Sequence, residues 1–302
     1  LGVVPANTKL TPWPKDLLPA WDSLGEIEKK LFIKQAEVYA AYLAYTDHEI
    51  GRVIQAVEDA GQLDNTLIIY ISGDNGSSAE GSLTGTPNEV AMLNGVDLPA
   101  KDQLPWYPFW GSDQTYPHMA VPWTWAFDTP FQWTKQVASH FGGTRQGMAI
   151  SWPRVIKDKG GIRTQFHHVI DVVPTIYELT KIAPPRVVNG FEQDPIAGVS
   201  MVYAFGDPKA PGTRKTQFFD IMASRGIYHD GWFASAPGPR EPWVGGMPKG
   251  IKEWSSLTDR WELYNLDEDW SQANDLAATN PQKLEEMKLL FLLESTKNKN
   301  LP

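Results

Sequence analysis

Apolar residues recur every three to five positions between residues 26 and 60: Leu31, Ala36, Tyr39, Leu43, Ile50, Val53, Ile54 and Val57. That spacing predicts one long amphipathic helix, with Gly51 as the place for a bend and Gly61 as its C-terminal cap. The pattern then changes to an unbroken apolar run, Leu67-Ile68-Ile69-Tyr70-Ile71, stopped by Ser72-Gly73-Asp74-Asn75-Gly76. Without polar alternation the run suits a strand buried on both faces, as in a parallel sheet covered by helices. A helix followed by such a strand is the second half of a βαβ unit, and the strand that should precede the helix is not in the chain. Residues 1–22 are Pro-rich and read as an extended lead-in. Residues 77–134 are Gly/Pro-rich and aromatic with little periodicity, as in a functional loop or an insertion.

Met148-Ala149-Ile150-Ser151-Trp152 predicts a second buried strand, and His168-Val169-Ile170-Asp171-Val172-Val173-Pro174-Thr175 leads into a helix ending near Thr180. Beyond a Pro/Gly-rich linker at 184–213 the pattern shortens to strands at 216–222, 226–228 and 232–234, with Asp230-Gly231 as a hairpin turn. A strand at 261–264 and a helix from Pro281, capped by Asn280, close the chain. The fold class expected is α/β. A mostly parallel sheet flanked by helices occupies residues 1–183, and a smaller antiparallel sheet and helix region occupies 214–302.

Composition narrows the function classes. A net charge of −9 across 302 residues, without a Lys/Arg-rich run, argues against nucleic-acid or anionic-membrane partners. No apolar run approaches a membrane span. The absence of cysteine removes disulfides, thiolate metal sites and a cysteine nucleophile from these residues. The chain starts at Leu1 without a signal-peptide pattern and ends in Asn300-Leu301-Pro302, so a piece of a longer protein is expected.

Three stretches could carry chemistry. Asp74 and Asn75 follow a strand, where ligands gather in open α/β sheets; they read as oxygen ligands for a hard cation or as a strand-ending turn. Lys135, His140 and Arg145 fall around Gly142-Gly143 just before the second strand. Such a group can supply positive charge and donors to a tetrahedral oxyanion, or be a solvated basic loop. Trp106, Tyr107, Phe109, Trp110, Trp123, Trp125 and Phe127 could line a substrate pocket or form a satellite core. His167-His168 suits a helix start. Asp267-Glu268-Asp269-Trp270-Ser271 begins like a calcium loop, but has Gln272 for the required Gly and Ala278 for the required Glu, so a surface turn is expected.

Taken in order, these segments resemble the sulfatase family, specifically its bacterial arylsulfatase-like members within the alkaline phosphatase superfamily. The likeness runs from Ile71-Ser72-Gly73-Asp74-Asn75-Gly76 through Thr129-Pro130-Phe131-Gln132-Trp133-Thr134-Lys135 and Ser139-His140-Phe141-Gly142-Gly143-Thr144-Arg145 to Trp261-Glu262-Leu263-Tyr264-Asn265-Leu266. The resemblance implies calcium-assisted hydrolysis of sulfate monoesters, with Asp74 and Asn75 as ligands of one Ca²⁺ ion and Lys135 as a sulfate contact. His140 lies on the same segment without a defined role. The substrate implied is a small-molecule or carbohydrate sulfate ester, and the compartment periplasmic or extracellular. The chain departs from the family in one respect: no Cys/Ser-x-Pro-x-Arg motif, the source of the formylglycine nucleophile, is present. Ser151-Trp152-Pro153-Arg154-Val155 places its arginine one position early. The family's other acidic calcium ligands and its activating histidine also have no counterpart. The expectation is the later part of a sulfatase, inactive alone. The alternatives are a zinc-dependent phosphatase or phosphonate hydrolase of the same superfamily, and an inactive carbohydrate-binding relative.

Overall fold

The computed structural model describes residues 2–73, 75–246, 248 and 250–300. The first long helix, α1 (Glu26–Asp59), forms as the periodicity requires. At its start the Glu28 carboxylate accepts the Gly25 N–H at 2.6 Å. At its end Gly61 takes φ +68°, while Gly61 N–H donates to Glu58 and Gln62 N–H to Val57. These two bonds close a Schellman motif, which needs a left-handed residue at that position. Only the first third of α1 is buried, through Leu31, Phe32 and Gln35. Leu43 and Val53, expected on a core-facing stripe, are exposed.

Strand β1 (Ile68–Ser72) pairs with β2 (Gly147–Ser151). The parallel pairing expected for this layer is not found among the described residues: the two strands are antiparallel, with Ile69 opposite Ile150 and Ser72 opposite Gly147. The cause lies in the chain path. Residues 140–146 bring the chain back to the end where β1 finishes, so β2 must run the other way. The two-sided burial inferred from the apolar run is not seen either, since Tyr70 is 40% exposed.

Between the strands the chain forms short helices α2 (Val90–Leu93), α3 (Ala100–Gln103) and α4 (Val121–Asp128), a 3-10 turn at Leu104–Phe109, and α5 (Phe141–Thr144). The aromatic residues here are mostly core. Trp110 packs with Leu31, Phe32 and Ala120, and Trp125 with Leu18, Val121 and Trp243. The lead-in is therefore not free: Leu18 is enclosed in that second cluster, with Trp13 against it.

Helix α6 (Val172–Thr180) follows His168, whose N–H donates to Asp171 at 2.9 Å. Asp171 also takes the Arg214 guanidinium and the Val199 N–H, tying the expected linker to α6. That segment contains a small hairpin, β3 (Val187–Val188) with β4 (Phe191–Glu192), and α7 (Tyr203–Gly206). The C-terminal region is an antiparallel meander of β5 (Thr216–Ile221), β6 (Ser224–His229), β7 (Trp232–Ala236) and β8 (Glu262–Asn265), in that order. Helix α8 (Pro281–Lys297) covers it, burying Met287 and Phe291 on Ile227 and Leu263. The α/β class with a C-terminal antiparallel region is thus observed.

Candidate functional site

Glycines join the two motif segments. A Cβ on Gly76 would run into the Gly142 carbonyl, one on Gly142 into the Trp133 carbonyl, and one on Gly143 into the Val137 carbonyl. The turn after β1, the Lys135 loop and the Gly-Gly turn therefore cross backbone on backbone, which only glycine permits. Gly142 N–H donates to the Gln132 carbonyl at 3.1 Å, and Lys135 N–H to the Ser77 carbonyl at 3.0 Å. Residues far apart in sequence are held at the carboxyl end of β1.

Lys135 sits between two left-handed residues, Trp133 (φ +70°) and Gln136 (φ +75°). Each such non-glycine conformation costs about 1–3 kcal/mol and persists only where surroundings enforce it. Here Trp133 is wedged between Trp125 and Trp243, with ring centroids 5.9 and 6.0 Å away. Thr134 is fully buried. The Lys135 ammonium lies 2.9 Å from Glu80 Oε1, with a third of the lysine side chain exposed. The Gln136 amide donates to the same oxygen at 2.9 Å. Burial pushes the Glu80 carboxyl up, but hydrogen bonds from Lys135 and Gln136 outweigh it and hold the pKa below its ordinary value. Behind this pair, Asp128 accepts the Ser77 hydroxyl at 2.7 Å and its N–H at 3.4 Å.

The expected metal ligands are not brought into a described cluster. Asn75 is exposed, and Asp74 lies outside the described residues. Among the described residues no group of three or more His, Asp or Glu converges. Calcium takes six to eight oxygens, more than the described residues bring together here.

His140 takes a different place from Lys135. It is buried, with Nδ1 2.8 Å from Ser139 Oγ and Nε2 3.1 Å from Glu262 Oε2. Tyr264 donates to the same carboxylate oxygen at 2.8 Å. Burial alone raises the Glu262 pKa, yet the contact with His140 holds it below the usual carboxylate range. With both ring nitrogens engaged, His140 joins the α/β layer to β8 and offers no free edge to a substrate. Arg145 stacks its guanidinium 4.0 Å from the Trp270 ring, and burial lowers its pKa to about 10.

Sequence reasoning did not find Glu80, Asp128, Gln136, Glu262 or Gln272. Gln272 stands where a calcium loop would need glycine, and its left-handed φ of +59° meets that backbone demand. Its side chain turns inward, accepting the Phe141 N–H at 2.9 Å and donating to the Ser139 carbonyl at 3.2 Å. The expected surface turn is exposed at Asp267 and Glu268 but buried at Ser271 and Gln272.

These features define an α/β protein with a lysine-bearing polar site clasped to the carboxyl end of a strand. The chain belongs to the sulfatase family: the sequence model described as Sulfatase matches residues 6–182. It is 30% identical to an uncharacterized sulfatase of Schizosaccharomyces pombe over 292 residues, 95% of this chain and 48% of that protein. It is 27% identical to an arylsulfatase of Klebsiella aerogenes over 204 residues, 67% of this chain and 41% of the relative. The chain thus spans less than half the length of these relatives. Two solved structures share the fold. One comes from a Bacteroides thetaiotaomicron genetic locus for metabolism of multiple glycosaminoglycans (TM-score 0.53, 19% identity, 84% of this chain, 43% of that chain). The other is Ps i-CgsB in complex with k-i-k-neocarrahexaose (TM-score 0.52, 18% identity, 97% and 48%).

Proposed function

We propose that this chain is the later part of a sulfuric ester hydrolase acting on sulfate monoesters, with Lys135 as the group that meets the sulfate. The observation that carries the reading is the strained lysine loop, held to the strand end by the Ser77 carbonyl and the crossing glycines. Hydrolysis of a sulfate ester loads charge onto the transferring oxygens. An ammonium already positioned by Glu80, whose carboxylate Gln136 holds in turn, can take up that charge without reorganising, which is where such donors act most strongly. Calcium, with Asp74 and Asn75 among its ligands, would add Lewis-acid charge there when bound. The nucleophile comes from sequence outside these 302 residues, which contain no Cys/Ser-x-Pro-x-Arg motif.

The alcohol part is a carbohydrate in this reading, supported by the fold shared with Ps i-CgsB and its bound oligosaccharide. Periplasmic or secreted localisation follows from the same family reading. The test is hydrolysis of p-nitrophenyl sulfate by the chain alone, and by the chain preceded by a sulfatase N-terminal half bearing the nucleophile motif. The first should show none, and the second calcium-dependent turnover reduced about 10²–10³-fold by Lys135→Ala. Turnover by the chain alone, or full activity in Lys135→Ala, overturns the proposal.

A further inference from the structure

Of the eight aromatic side chains between residues 104 and 127, Tyr107, Trp110, Trp123 and Trp125 pack in the two core clusters, while Trp106 and Tyr116 are among those that do not. Trp106 sits on the 3-10 turn Leu104–Phe109, whose other face is anchored: Tyr107 packs on the Leu31–Trp110 cluster, with the Lys30 ammonium 4.9 Å from its ring. That anchoring turns the Trp106 indole outward, where it is 45% exposed, and Tyr116 is 63% exposed. The two rings share a cavity of about 430 Å³ with Asn88, Asp113 and Gln114. Its volume falls in the ~300–1,000 Å³ range of small-molecule sites.

The walls are braced. Asn88 and Tyr116 meet in an isolated bridge, as do Thr86 and His118. Two buried amides hold this loop from behind. Gln103 donates to the Gly85 carbonyl at 2.8 Å and the Leu98 carbonyl at 2.7 Å, while Gln35 of α1 donates to Thr84 and accepts the Ala120 N–H. Burying two side-chain amides to fix a surface loop is a costly way to build a turn, and it presets the cavity before any ligand arrives. Inside it, among the described residues, the Asp113 carboxylate forms no ion pair, and neither it nor the Gln114 amide forms a side-chain hydrogen bond. Flat aromatic faces beside an uncommitted carboxylate and amide match a sugar ring, whose apolar C–H face stacks while its hydroxyls donate and accept. Asp113, in a chain of net charge −9, disfavours a sulfated unit at this position.

We propose that this cavity is a binding site for a neutral saccharide unit, with Trp106 as the stacking platform and Asp113 and Gln114 as the hydroxyl readers. The site does not depend on the hydrolase reading; a chain without sulfatase activity would still bind. Isothermal titration of the purified chain with cellotetraose, xylotetraose and galactotetraose, and with 4-nitrophenol as an aromatic control, tests it. At least one tetrasaccharide should bind, and Trp106→Ala should weaken it about tenfold or more, equivalent to roughly 1.4 kcal/mol. Asp113→Asn should weaken it less. Both substitutions lie at exposed positions outside the core clusters, so circular dichroism and the urea midpoint should be unchanged. The proposal is overturned if no tetrasaccharide binds at about 10 mM, a concentration that detects dissociation constants well above 1 mM. Equal binding by Trp106→Ala, or 4-nitrophenol binding as tightly as the sugar, also overturns it.

Discussion

Replacing Asp128 by Asn should stabilise the protein at pH 8 and not at pH 4. Asp128 stands behind Ser77, whose carbonyl receives the Lys135 N–H, so the perturbation acts next to the candidate site. Burial raises the Asp128 pKa from 3.8 to about 6, against the opposing hydrogen bonds from Ser77. A carboxyl whose folded pKa is raised contributes stability that is complete below its ordinary pKa and is lost as pH climbs through the folded value. The window is therefore pH 3.8 to about 6. At about 1.4 kcal/mol per pH unit the loss amounts to roughly 3 kcal/mol. The Asn side chain cannot ionise, and its carbonyl can keep the 2.7 Å bond from the Ser77 hydroxyl. The longer bond to the Ser77 N–H is given up, at a cost of about 1 kcal/mol. The net expectation is a gain of about 2 kcal/mol at pH 8, turning into a loss of about 1 kcal/mol at pH 4. Urea unfolding followed by tryptophan fluorescence at both pH values measures it. A variant no more stable than the parent at pH 8, or a difference independent of pH, would refute the reasoning.

Two further outcomes follow from contacts already described. Gly142→Ala and Gly143→Ala force a Cβ into neighbouring carbonyls and should each destabilise by at least about 3 kcal/mol or prevent soluble expression. Gly51→Ala, in the interior of α1 with open space around it, should instead stabilise by about 0.5–1 kcal/mol. Equal urea midpoints for these variants would contradict the crossing. Glu262 is held below its ordinary 4.5 by His140, so its stabilising contribution is present above pH 4.5 and fades as pH falls below that value. Glu262→Gln should be less stable than the parent at pH 7 and flatter against pH in the acid range; an equally steep acid limb would argue that the His140 contact contributes nothing.

The parts of the fold read correctly from sequence are those written in local signals. Gly61 marked the end of α1 because a Schellman motif asks for a left-handed residue there, and Asp230-Gly231 marked a hairpin for the same reason. The turn between β5 and β6 was misplaced, with Met222 assigned to the strand, because it puts Met222 (φ +51°) and Ala223 (φ +70°) where glycine or asparagine would give the signal. Periodicity in α1 reported an apolar stripe but could not say what covers it, and its second half is uncovered. Strand direction escaped for a related reason. An unbroken apolar run records composition, whereas pairing was decided by where the Gly-Gly turn delivers the chain. At the site, Lys135 stood out beside its glycines. Glu80, Asp128 and Gln272 did not, since each reaches its partner across long sequence separations and carries no local mark.

The glycine crossing has a consequence for how this molecule can change over generations. It fastens the turn after β1 directly to the Lys135 loop, so the carboxyl end of the strand does not hang on the surface stretch at residues 88–116. Doubling the length of a flexible loop costs only about 0.6 kcal/mol once its ends are fixed. That stretch, the Trp106 platform included, can therefore change in length while Lys135 and its partners Glu80 and Gln136, which flank it, stay in place. A lineage could therefore reshape this exposed surface without rebuilding the glycine crossing that seats Lys135.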